Sequence, residues 1–141
     1  MKRFRFNLEK ILDLRKIKEE ECKIALGQAI SALNIIESKI KETALKHHNA
    51  AKERFNNTGD MASWDIYILR LEQEAVNLTE QAAKAQIIVE QKRALYLEAS
   101  KDLKAIEKLK EKKKDEYRGE ILAAQMNEVD DITAARLIAN R

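Results

Sequence analysis

The chain has 141 residues, no proline, three glycines, 36% charged residues and a net charge of +3. One cysteine excludes an internal disulfide framework, seven aromatics are too few for a wide globular core, and no window approaches the ~18 apolar residues of a bilayer span. A charge of +3 names no partner by itself, but its distribution is informative.

The opening MKRFRFNLEKILDLRK is basic and broken by charges every few residues, so it lacks the apolar h-region of a secretory signal. A cytoplasmic protein is expected. From Leu8, alternate steps of four and three residues visit Leu8, Leu12, Arg15, Glu19, Cys22, Leu26, Ala29, Leu33, Ile36, Ile40, Thr43, His47 and Ala50. Nine of these thirteen positions are apolar, which predicts a coiled-coil helix over about 7–55. Lack of proline leaves nothing to interrupt it.

The segment FNNTGDMAS then breaks the pattern and predicts a turn over about 56–62. Asn56 or Asn57, and Gly59 without steric cost, suit the left-handed backbone that ends many helices. Asp60 or Ser63 suits the start of the next helix as a cap, and Asp65 its positive end.

A second seam runs Trp64, Ile68, Leu71, Ala75, Leu78, Ala82, Ala85, Val89, Lys92, Tyr96, Ala99, Leu103 and Ile106, interrupted only by Lys92. It predicts a helix over about 63–138. So short a connection demands antiparallel neighbours, with the numbers of facing residues summing to about 120. The expected fold is all-α: one elongated domain, 1–141, in a long antiparallel two-helix coiled-coil hairpin whose second helix overhangs at the C-terminus. Leu8 falls opposite position 112, leaving roughly 30 residues unpaired, about 45 Å of helix. Polar seam residues weaken packing but can fix register. In this register Arg15 and Glu19 face Ala105 and Lys101, which leaves open either a Glu19–Lys101 contact or a loosely zipped end that a partner grips.

Beyond the seam, KLKEKKKDEYRGE is charged, and apolar residues return at Ile121, Leu122, Met126, Val129, Ile132, Leu137 and Ile138. Such a stripe with nothing in its own chain to cover it implies a partner, which leaves self-association open. Residues 1–18 hold seven Lys/Arg against two acids, and 101–118 hold eight against five. The antiparallel fold gathers both into one basic tip.

Site chemistry is sparse. His47 and His48 are adjacent, about 100° apart on a helix, and cannot make the i, i+4 pair of a helical metal site. Cys22 lies on the seam as a small hydrophobe. The sequence has no Gly-rich phosphate loop and no CxxC, and a two-helix hairpin offers no concave site that brings two carboxylates together. Neither enzymatic activity nor a cofactor or metal is expected.

The opening FRFNLEKILDLRKIKEEECKIALGQA resembles the start of the FliJ family of the flagellar type III export apparatus, through Phe4, Phe6, Leu8, Ile11, Leu12, Leu14, Arg15, Glu19 and Glu20. Length and hairpin organisation agree along the chain. The resemblance implies a non-enzymatic export component similar to the central stalk of rotary ATPases, which docks into the export ATPase hexamer and links it to the cytoplasmic part of the membrane export gate. It also implies escort of export chaperones and a peripheral position at the inner face of the cell membrane, at the flagellar base. The ATPase-binding candidates it gives are Leu8, Ile11, Leu12, Arg15 and Glu19, with Ile121, Leu122, Met126, Val129 and Ile132 of the late helix. The export-gate candidates are Tyr67 and Leu71, within YILRLEQEA, although Leu71 is also a seam position. The competing readings are a coiled-coil adaptor or spacer of another system, and a basic tip binding nucleic acid or a membrane surface. The first is the stronger of the two. Acids interleaved with the lysines, and the lack of an aromatic stacking platform, argue against nucleic acid.

Overall fold

The computed structural model describes residues 3–140, with Thr58 described by its backbone alone. The element order is α1 (Glu9–Asn56), a 3-10 turn (Thr58–Asp60) and α2 (Met61–Ala139), and no strand occurs among the described residues. The fold is the all-α antiparallel hairpin that the two seams demand. All thirteen seam positions from Leu8 to Ala50, and all thirteen from Trp64 to Ile106, are buried or half-buried.

The hairpin divides into two compact units. Unit 2, Glu20–Glu98, contains the turn and the paired stretches beside it. Its core holds Leu33, Ala50, Leu71, Leu78 and Val89, with Thr43 as a buried polar residue. Small and large residues share this seam because two helices alone supply only one layer of side chains to interdigitate. His47 Nε2 lies 3.2 Å from Glu72 Oε1, and Arg54 pairs with Asp65 beside the turn. Cys22 is a free, half-buried thiol.

Unit 1, Met1–Glu19 with Ala99–Arg141, contains the start of α1 and the second half of α2. Leu12, 1% exposed, and Ala99, 5% exposed, are its buried apolar residues. Arg15 Nη1 donates to Asp102 Oδ2 at 2.7 Å, and Lys110 Nζ lies 2.9 Å from Glu9 Oε2. Facing pairs in both units have numbers summing to between 117 and 121, so the expected register is the observed one. The Glu19–Lys101 contact is not made among the described residues. Arg15 reaches Asp102 instead, because a long guanidinium can lean past the facing alanine to a carboxylate one turn away.

The turn differs from its expectation. No described residue, glycine included, has positive φ. Asn57 breaks α1 at φ −114° and ψ 76°, and the 3-10 turn runs straight into α2. The Asn57 N–H donates to Glu53 O at 2.8 Å, and the Asp60 N–H to Asn57 O at 3.3 Å. Among the described residues, these bonds close the connection with no left-handed residue and no side-chain cap from Asp60 or Ser63. Asp65 balances Arg54.

A Cβ on Gly59 would meet nothing within 4 Å. Gly59→Ala should therefore leave the hairpin unchanged or raise its stability by about 0.4–1 kcal/mol, by narrowing the unfolded ensemble. Leu12→Ala should instead cost about 2–5 kcal/mol through lost burial and a cavity. Urea denaturation of both variants beside the wild type checks the pair of expectations.

Candidate functional site

Three surfaces carry the candidate residues. The first is the basic tip in unit 1. Residues 3–8 form a non-helical arm that continues past the start of α1 and packs along α2. Phe4 stacks on Tyr117 with ring centroids 5.5 Å apart, a tilted aromatic contact. Arm and helix enclose an open groove of about 740 Å³ lined by Phe4, Phe6, Leu8, Leu109, Lys113 and Tyr117 among others. The covered stretch of α2 therefore extends to Tyr117 and the groove beside it, not merely to position 112. An extended arm spans more distance per residue than a helix, so a few residues reach two further turns along α2.

Of the candidates in the first turns, Leu8, Arg15 and Glu19 are half-buried, and Arg15 is committed to Asp102. Leu12 is enclosed by the seam, whereas Ile11 is 40% exposed. Leu14 and Ile17 are exposed as well; both fall off the seam, and neither was among the ATPase-binding candidates. With Ile11, they are the apolar residues of KILDLRKIK that alternate steps of four and three do not visit.

The second surface is the end of α2. Ile121 is half-buried, and every described residue from Leu122 onward is exposed. The uncovered helix 122–139 is about 27 Å long, shorter than the expected overhang because the arm covers its base. Leu122, Met126, Val129 and Ile132 are each at least half exposed. At 100° per residue, Leu122, Met126, Val129, Thr133 and Leu137 form one stripe, roughly 120° around the helix from the line of the seam. Glu120, Glu128 and Asp131 lie on the other side, while Asp130 flanks the stripe beside Leu137. The overhang is thus an amphipathic helix, and its apolar stripe is not a continuation of the internal seam.

The third surface lies beside the turn in unit 2. Trp64 and Tyr67 meet edge to face at 6.1 Å, and Tyr67 is 40% exposed. They border a shallow groove with Lys46, Asn49, Ala50 and Glu53 of α1. Leu71, one turn further on, is 4% exposed. The structure thus brings Tyr67 to the surface and places Leu71 in the core beneath it.

Among the described residues, no group of three or more His, Cys, Asp or Glu is arranged to hold a metal ion. No helix among them is long and apolar enough to cross a membrane.

One seam, one tight turn and outward-facing apolar stripes define a coiled-coil hairpin with surfaces suited to other proteins. A family model described as flagellar FliJ protein matches residues 4–141, so the chain belongs to the FliJ family, whose members are components of flagellar protein export. Neither the curated proteins nor the solved structures gave a match.

The burial contrast at the third surface separates an exposed residue, Tyr67, from a core residue, Leu71. Tyr67→Ala should shift the thermal midpoint little, whereas Leu71→Ala should cost about 2–5 kcal/mol. Circular dichroism melts of the two variants make the comparison.

Proposed function

We propose that this protein is a non-catalytic stalk of the export machinery, docking its basic tip and overhanging helix into the ring of the export ATPase. The observation that supports this reading best is the overhang. Leu122, Met126, Val129 and Ile132 lie exposed on α2 where the arm and α1 no longer cover it. An amphipathic helix with an open apolar stripe docks favourably into an apolar groove, which is a recurrent mode of helix recognition. Ile11, Leu14 and Ile17 add exposed apolar surface in the same unit.

The other end of the proposed link is the cytoplasmic part of the membrane export gate, engaged through Tyr67. Leu71 supports that contact from beneath, by fixing the backbone on which Tyr67 and Trp64 stand. In this reading the protein works in the cytoplasm at the inner face of the membrane and escorts export chaperones between rounds of export.

Truncation after Tyr117 tests the ATPase contact. It removes the exposed stripe and spares the seam, so the thermal midpoint should stay within a few degrees while stimulation of the export ATPase and ring assembly are lost. An equal loss of stability would mean that the tail packs against its own chain, and unchanged stimulation would remove the overhang from the contact. For the gate, Tyr67→Ala should weaken binding of the gate's cytoplasmic domain by about tenfold or more, the scale of a buried aromatic anchor. Titration calorimetry with the purified domain measures it, and undiminished affinity would sink that half of the link.

A further inference from the structure

The outward face of α2 in unit 1 carries a feature that neither the seam nor the overhang uses. Lys101, Lys104, Lys108 and Lys112 recur at three- and four-residue spacing. At 100° per residue they fall within an arc of about 80°, a single row about 16 Å long. The seam residues Ala99, Leu103, Ile106 and Lys110 point the opposite way, so the row lies on the side of α2 turned from α1. All four lysines are exposed, and no ion pair among the described residues holds any of them. Lys110 and Lys113, by contrast, are paired with Glu9 and Glu116.

Like charges three and four residues apart repel and weaken a helix, so the row works against local stability. The same heptad positions of α2 in unit 2 are different in kind: Gln73, Val76, Glu80 and Lys84 hold a single lysine. Nor does the row suit a sheet of phosphates. Glu107 and Glu111 run along one edge and Asp115 closes the end, so a flat anionic surface would press on carboxylates as well as ammonium groups. A partner no wider than one helix avoids them.

We infer that Lys101, Lys104, Lys108 and Lys112 form an electrostatic docking face for a narrow row of Asp and Glu side chains on the wall of the ATPase ring. This deepens the docking reading above and rests on it. Complementary rows of this kind steer encounter and set orientation more than they set final affinity, and exposed pairs of this sort are screened by salt. The lysine row guides the tip into position, and the apolar overhang then holds it.

The test is binding of the full-length protein to the purified export ATPase from about 50 to 400 mM NaCl, a range over which surface charge is progressively screened. The variant Lys101→Gln/Lys104→Gln/Lys108→Gln/Lys112→Gln keeps helix propensity. It should bind about tenfold more weakly at the lowest salt, with a flatter salt dependence that meets the wild type at the highest. The fourfold Lys→Arg variant should recover the wild-type curve. Lys23→Gln/Lys39→Gln/Lys41→Gln/Lys84→Gln loses the same charge from exposed positions of unit 2 and should stay within about twofold of wild type. If the two Gln variants behave alike, net charge and not the row is at work, and the inference fails. It also fails if the row variant loses binding to vesicles containing one-third phosphatidylglycerol, or to a single-stranded oligonucleotide, while ATPase binding is untouched. A parallel variant, Leu122→Ser/Met126→Ser/Val129→Ser, separates the two levels. Loss of binding there with no effect of the row variant overturns the row alone, and no wild-type binding at any salt overturns the docking reading with it.

Discussion

The register of the seam is the constraint on which everything else depends. With one line of side chains per helix and no further layer to share the load, a two-helix pairing succeeds only if nearly every seam position contributes. Leu12, Leu33, Ala50, Leu71, Leu78, Val89 and Ala99 are its most enclosed apolar residues. Two polar residues on the line, and Lys110 just beyond it, have charged partners on the facing helix. Arg15 reaches Asp102, His47 meets Glu72, and Lys110 extends to Glu9. Such half-exposed pairs add little stability, but a shifted register would separate each charge from its partner, so they discriminate against misalignment.

What the seam leaves uncovered defines what the protein offers to others. A single paired line uses one face of each helix, so the remaining surface is free to carry stripes of different character. In unit 1 three are present: apolar positions at Ile11, Leu14 and Ile17, the lysine row on the outside of α2, and the apolar stripe of the overhang. In unit 2 the aromatic pair Trp64 and Tyr67 stands at the surface beside the turn. Membership of the FliJ family gives these faces a setting in flagellar export, and their chemistry suggests which of them engages which kind of wall.

Periodicity made most of the fold legible in the sequence. Both helices, the antiparallel pairing and every seam position followed from steps of four and three residues, because a heptad repeat sustained this long admits no other regular structure. The conformation of the turn was not legible. Asn and Gly favour the left-handed region without requiring it, and here a 3-10 turn closes the connection with ordinary backbone angles. The arm was missed for a different reason. Phe4 and Phe6 precede the first seam residue and follow no helical period, so nothing in the pattern predicts that Phe4 folds along α2 to Tyr117. Surface candidates were legible only in part: position on the seam separates Leu71 from Tyr67, whereas exposure at Leu14 and Ile17 depends on the back of α1 being left bare.

The rotation of the overhang stripe away from the seam has a thermodynamic consequence. Had the stripe continued the seam, a partner whose grip extended below Leu122 would have competed with the arm for the same face of α2, and only molecules with the arm released would have bound it in full. The apparent affinity would then have been reduced by the small fraction in that open state. With the stripe turned roughly 120° aside, closure of the hairpin and capture of the overhang are separate equilibria. Every folded molecule therefore presents the stripe without opening the seam.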